Sequence, residues 1–228
     1  MIVSHLHAIQ HLPKKGKTMQ RVLATFCLIA IFFLVVGCQP SAPKEDLAVK
    51  TSTDYFAEAA QRMAEKSDFR YNNNGYKKSS DISYRFDYPQ SWSIPASMQM
   101  PALDVLAMRN EPINDFSPNF NVVVFPQSDP NILKARKSQF RREMRKELPD
   151  LEVIDFEHGK FKDNDIVYVH SQSTIEGIEV EQYQYLFNFN NKGLVLTFSS
   201  SCPTPESVKE EFDAILATFK VGTDANAE

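Results

Sequence analysis

The chain changes its hydrophobic rhythm several times, and each change marks an element. Val22 to Val36 is a nearly unbroken apolar run of 15 residues that closes on Gly37-Cys38. Gln39 to Ala48 follows with Pro40, Ser41, Pro43, Lys44, Glu45 and Asp46, a stretch with nothing to bury. From Thr53 to Lys66 apolar positions recur at helical spacing: Asp54 can cap a short helix that turns Phe56, Ala59, Ala60 and Met63 to one side. That helix is mostly alanine-faced, so it is either marginal or docked on the body. A second polar stretch, Asn72-Asn73-Asn74-Gly75 through Ser80, follows it. Then the period becomes two: Tyr84, Phe86 and Tyr88 alternate with Ser83, Arg85 and Asp87 and stop at Pro89, the pattern of a half-buried strand. Trp92, the only tryptophan, is expected in the core.

Asp104 to Met108 and Asn121 to Phe125 read as two more strands, the second apolar on both faces through Val122-Val123-Val124. Ser128-Asp129-Pro130 is a helix start, a capping side chain followed by proline. The helix is predicted to run to about Leu148, with Leu133, Phe140, Met144 and Leu148 on one face. A meander comes next: Glu152 to Phe161, Ile166 to Ser173, Ile178 to Phe189 and Leu194 to Ser200. Its hairpin turns are Asp163-Asn164-Asp165, Glu176-Gly177 and Asn190-Asn191-Lys192-Gly193. Ile166 and Tyr168 point one way and Val167 and Val169 the other, so this strand needs cover on both faces. The last element is a helix capped by Thr204, with Pro205 at its first position and an apolar stripe of Val208, Phe212, Ile215 and Phe219. These elements predict an α+β fold, an antiparallel β-sheet flanked by helices on both faces.

The apolar run at the start has the length of a signal-peptide core and falls short of the roughly 20 residues of a spanning helix. Val35-Val36-Gly37-Cys38 resembles a bacterial lipobox, in which the cysteine receives a diacylglyceryl group and the chain is cut before it. The resemblance implies a signal peptide over residues 1–37 and a mature chain that begins at an acylated Cys38, carrying palmitate-like acyl chains. Met19, which opens the compact charged segment Met19-Gln20-Arg21, is an alternative start. Gln39 stands where aspartate would be the retention signal of inner-membrane lipoproteins, which favours the periplasmic face of the outer membrane in a cell with two membranes. Residues 38–80 then read as a lipidated tether with a short helix, reaching ~35 Å as a flexible chain. Residues 81–221 read as the globular domain and 222–228 as a disordered tail.

Composition narrows the function classes. Without residues 1–37 the chain carries 21 basic and 29 acidic side chains, a net charge of −8, which speaks against nucleic acid as a partner. Only Cys202 remains as a thiol after Cys27 leaves and Cys38 is acylated, so no internal disulfide holds the fold. About 140 residues suffice for an ordinary hydrophobic core.

The order of these signatures resembles a known superfamily. Tyr88-Pro89-x-x-Trp92, a mid-chain helix, a meander ending in Gly193-x-x-x-Thr197-Phe198, and a final helix closing on Ile215-x-x-Thr218-Phe219 are similar to the PsbP-like superfamily, and within it to DcrB-type bacterial envelope lipoproteins. A glycine often precedes the tryptophan in such openings, where this chain has Ser91. The resemblance implies a sheet sandwiched by helices, used as a binding or assembly module without a catalytic centre. It carries no metal-contacting or catalytic residue over to this sequence.

Candidate chemistry is sparse. Gly75, Gly159, Gly177, Gly193 and Gly222 are the glycines that follow Cys38, and none lies near another, which excludes phosphate-cradling loops. There is no Gly-x-Ser-x-Gly elbow. His158 and His170 stand apart from any zinc-ligand spacing, and the expectation is no catalytic, cofactor or metal site. The alternative is an envelope hydrolase or ligand-binding enzyme whose site is assembled in space around His158 or His170. His170 itself reads more readily as a hydrogen-bonded sheet residue, Asp163-Asn164-Asp165 as a plain turn, and Cys202 as an inert thiol. One feature departs from the acidic background: Lys134, Arg141, Arg142, Arg145 and Lys146 share a broad flank of the central helix, with Glu143 and Glu147 opposite. That flank is a candidate patch for anionic headgroups or an acidic partner. It is also what a solvated face looks like, with long side chains covering apolar surface.

Overall fold

The computed structural model describes residues 50–73, 75–79, 82–96, 103–126, 131–146, 148–162 and 164–222. In chain order these form β1 (Lys50–Asp54), α1 (Tyr55–Ala64), β2 (Tyr76–Ser79), β3 (Ser83–Phe86), β4 (Trp92–Ser93), β5 (Val105–Arg109), β6 (Asn119–Phe125), α2 (Lys137–Met144), β7 (Glu152–Phe161), β8 (Asn164–Ile175), β9 (Ile178–Phe189), β10 (Lys192–Ser201), α3 (Glu206–Thr218) and β11 (Lys220–Val221). Among the described residues eight strands make one sheet in the order β1-β7-β8-β9-β10-β6-β5-β4, and a second sheet runs β11-β3-β2. All pairs are antiparallel except β1–β7. The fold is α+β, as the patterning and the family resemblance both implied.

The meander is long because its turns suit two-residue hairpins. Glu176 and Gly177 have φ of 51° and 82°, and Asn190 and Asn191 have φ of 49° and 61°, the left-handed pairs that a type I′ turn requires. Each turn fixes the register of the strands that follow, with Ile175 opposite Ile178 and Lys192 opposite Phe189. The two-residue alternation then sorts side chains between two cores. Ile166, Tyr185, Phe187, Leu194, Leu196 and Phe198 pack beneath α3 and the small sheet. Val167, Val169, Leu186 and Val195 pack beneath α2 with Phe140, Met144, Leu148 and Phe156. A strand with apolar residues on both faces is thereby covered on both.

α3 presents the expected stripe: Val208, Phe212, Ile215 and Phe219 are all buried. Its start is one residue later than the sequence suggested. Pro205, with φ −60° and ψ 148°, is the N-cap, and Thr204 does not cap with its side chain but donates its backbone N–H to Glu181 Oε2 at 2.7 Å. Trp92 is buried to 1 % exposure, edge-on to Phe212 with ring centroids 6.0 Å apart. Tyr84, Phe86 and Tyr88 are buried as alternation required, but β3 lies in the small sheet between β2 and β11, a pairing the sequence did not indicate.

The short N-terminal helix docks. Asp54 Oδ1 accepts from the Phe56 and Ala57 N–H groups, the cap expected of it. Phe56 and Ala59 are buried, Met63 is half-buried and Ala60 faces solvent. Arg62 grips Asp213 of α3 with both Nε (2.7 Å) and Nη2 (2.8 Å), and Lys66 reaches Glu210 at 2.7 Å. Tyr55 donates to Glu157, and its ring stacks on Tyr168 with centroids 4.6 Å apart. β1 and α1 thus strap one edge of the large sheet.

Candidate functional site

The proposed start of the central basic segment at Ser128-Asp129-Pro130, like Glu147, lies outside the described residues. The described part differs from the sequence expectation in two ways. First, the helix is not continuous from Ile132 onward. A 3-10 turn covers Ile132–Lys134, Arg136 is extended at φ −111° and ψ 150°, and α2 begins only at Lys137. Burial of Ala135 at 2 % exposure gives the reason: the chain dips into the core there, which a straight helix would not allow. Second, Glu143 does not lie opposite the basic flank. Its side chain is buried and receives hydrogen bonds from Arg142 Nε at 3.1 Å and from Lys146 Nζ. Burial pushes the Glu143 carboxyl up, and the two cationic donors outweigh it and hold the group below its usual range.

Lys134, Arg141, Arg142, Arg145 and Lys146 are all exposed, and what fixes them differs. Arg142 and Lys146 share the single charge of Glu143. Arg145 Nε donates to the Leu151 carbonyl at 2.9 Å, and Lys137 Nζ, one turn before Arg141, donates to the Ile154 carbonyl at 2.7 Å. Positions 137, 141 and 145 recur every turn on one flank, so Arg141 lies between two basic side chains tied to β7 and the turn before it. The structure therefore splits the five residues: Lys134 stands on the 3-10 turn, Arg141 and Arg145 lie on the α2 flank tied toward β7, and Arg142 and Lys146 lie on the side of Glu143. Cys38 lies outside the described residues.

His170 is part of a cluster that the sequence pattern did not single out. Its Nε2 is 2.7 Å from Glu181 Oε1, its Nδ1 is 3.3 Å from Asp155 Oδ2, and its ring stacks on Tyr183 at 4.6 Å and 11°. Glu181 is buried, and Thr204 donates to its other oxygen. Burial raises the Glu181 carboxyl, but hydrogen bonds from Thr204 and His170 prevail and bring it down to about 2. The signal was available in the hairpin. A turn at Glu176-Gly177 sets His170 opposite Tyr183 and Gln172 opposite Glu181, so His170 and Glu181 become diagonal neighbours on one face.

Hydrolytic chemistry needs an imidazole with one nitrogen oriented by a carboxylate and the other facing a hydroxyl or thiol. Both nitrogens of His170 face carboxylates, so the cluster joins β7, β8 and β9 to the start of α3 rather than activating a nucleophile. Cys202, half-buried nearby, has its thiol raised by burial and then by Glu181 and Glu179, the opposite of an activated cysteine. His158 is half-buried on β7, edge-on to Phe156 at 6.2 Å and away from His170 along the strand. No group of three or more histidine, cysteine, aspartate or glutamate side chains among the described residues is placed to hold a metal ion. The turn expected at Asp163-Asn164-Asp165 is displaced: Asp163 lies outside the described residues, and Asn164 and Asp165 already belong to β8, with Phe161 opposite Asn164, Lys162 at φ 52° and Asp165 paired with Lys160 at 2.6 Å.

No protein-family model matches this sequence, and no curated protein matches it. Solved structures do. The likeness is one of fold. LpqN of Mycobacterium tuberculosis, a protein involved in cell envelope biogenesis, is 11 % identical over 78 % of this chain and 98 % of its own, with a TM-score of 0.48. Cyanobacterial PsbP from Synechocystis is 16 % identical over 65 % of this chain and 92 % of its own, with a TM-score of 0.47. A protein from Bacteroides thetaiotaomicron is 16 % identical over 61 % of this chain at a TM-score of 0.38, and the match spans 45 % of that protein's length.

Proposed function

We propose that the chain is a lipid-anchored protein of the bacterial cell envelope that works by binding, as a non-enzymatic module supporting an envelope assembly with a protein partner. The observation that carries this reading is the sequence Val35-Val36-Gly37-Cys38 at the end of an apolar run too short to span a bilayer. Acylation at Cys38 would hold the protein at a membrane stably, since each buried CH₂ contributes about 0.8 kcal/mol and two or more chains suffice where one does not. No described helix is long and apolar enough to cross a membrane. The His170 cluster supports binding over catalysis, because its imidazole is spent on two carboxylates. Gln39 favours the periplasmic face of the outer membrane as the destination, and the net negative charge suits a partner other than nucleic acid.

The test is Cys38→Ser. The variant is expected to leave the membrane fraction and appear soluble, with far-ultraviolet circular dichroism like that of the native body, and to lose palmitate labelling. A variant that still sediments with membranes in high salt would refute the anchor.

A further inference from the structure

The chain that leads from Cys38 and the basic flank of α2 meet at the same edge of the large sheet. β1 pairs with the second half of β7, Lys50 opposite His158 and Asp54 opposite Lys160. α2 lies along the first half of the same strand. Lys137 is bonded to Ile154 and Arg145 to Leu151, and the Phe140 ring is 5.8 Å from that of Phe156. At about 3.3 Å per residue, Ile154 is ~13 Å from the point where β1 joins. The other edge, β4, is seven strand spacings from β1, or ~33 Å. Eleven residues separate Cys38 from Lys50, so chain length alone holds the two within ~40 Å of each other. An anchor at Cys38 therefore attaches the body at its β1–β7 edge, opposite the β4 edge.

Charge at this edge is uneven. Arg141 and Arg145 lie on the α2 flank tied toward β7, Lys134 stands on the turn before α2, and Arg142 and Lys146 are offset by one carboxylate, Glu143. The acids on the same side are Asp150, which accepts from the Thr174 N–H at 2.8 Å, and the exposed Glu152 and Asp155, the latter paired with His170 on the face away from α2. We propose that the exposed side chains of Arg141 and Arg145, together with Lys134 on the preceding turn, rest on anionic lipid headgroups, so that the protein lies with its β1–β7 edge and α2 on the bilayer and its β4 edge turned outward. This rests on the anchor reading, and it adds an orientation that the anchor alone does not supply. Each lysine or arginine near an anionic surface raises partitioning about fivefold, a gain that salt removes.

The experiment takes the lipidated protein into vesicles of phosphatidylcholine or of phosphatidylcholine with phosphatidylglycerol, and follows trypsin cleavage at Arg141 and Arg145. Cleavage is expected to slow at least about tenfold on the anionic vesicles. Salt should restore it, and the double variant Lys134→Glu, Arg141→Glu, which leaves the Lys137 and Arg145 bonds to the backbone intact and is read at Arg145 alone, should show no difference between vesicles. Equal cleavage of the native protein on both vesicle types overturns the proposal, including the case in which these side chains meet a protein instead. Palmitate labelling reads the anchor separately. If the chain carries no lipid, salt-sensitive sedimentation of the unacylated chain with anionic vesicles still supports the contact, and its absence overturns it.

Discussion

Replacing Gly159 by alanine isolates what holds the N-terminal strap to the body. Gly159 lies on β7 under the strap, and a Cβ there would stand 2.5 Å from Tyr55 Cε2 and 2.9 Å from the Thr53 carbonyl oxygen. Ordinary contacts of a Cβ run from 3.4 to 4 Å. The tyrosine ring has little freedom to retreat, being stacked on Tyr168 at 4.6 Å, edge-on to Tyr185 at 5.8 Å and bonded to Glu157. The carbonyl belongs to β1 itself, so the strand has to move with it. Overpacking costs about 1–3 kcal/mol, and loss of one aromatic pair about 1 kcal/mol more. The variant is expected to lose about 2–4 kcal/mol in urea unfolding, with α1 amides exchanging faster than those of β8 and β9. Gly177→Ala is the control: nothing lies within 4 Å of its Cβ, and φ of 82° there predicts a uniform loss of about 1 kcal/mol without selective exposure of α1. A Gly159→Ala protein within about 0.5 kcal/mol of the native one, with α1 still protected, would refute the reasoning.

Acid should loosen the fold through Glu181. Its folded-state value, about 2, is depressed below the ordinary range, so its contribution is fully present above about pH 4.5 and is lost as pH falls through the folded value. Glu181→Gln is expected to lose about 2 kcal/mol less than the native protein between pH 5 and pH 2, after allowance for partial wetting of the carboxylate. Parallel stability profiles of the two proteins over that range would show that Glu181 is not the group responsible. Arg62→Ala removes the two-pronged grip on Asp213. Because the arginine is half-exposed, the expected loss is about 0.5–1 kcal/mol, read as faster exchange of α1 amides, and an unchanged α1 would assign docking to Phe56 and Ala59 alone.

Local signals carried the meander and the final helix. Glu152–Phe161 and Ile178–Phe189 were legible to the residue because asparagine and glycine turns bracket period-two runs. The central helix was misjudged because Leu133, Phe140, Met144 and Leu148 share one helical face, yet the buried Ala135 falls off that face and the backbone is extended at Arg136 beside it. Glu143 was placed on the wrong side because a helical wheel puts a carboxylate in solvent by default and does not know that two flanking cations make its burial tolerable. The small sheet has no complete local signature: β2 pairs with the neighbouring β3, but β11 comes from the far end, where Lys220 meets Arg85 across more than a hundred residues. The same is true of Asp155, which reaches His170 only after a bulge near Val153 shifts the register of β7.

The parallel pairing of β1 with β7 has a consequence for the order of assembly. Lys50 cannot find His158 until 108 further residues have been made, whereas the hairpins of the meander close over two-residue turns. Contacts so distant in sequence form late and slowly. Until then the outer rim of β7 presents unsatisfied amides and carbonyls, the feature that invites one chain to add to another. The segment synthesised earliest is thus the lid placed last, and a chain truncated before residue 55 would keep that rim open for good.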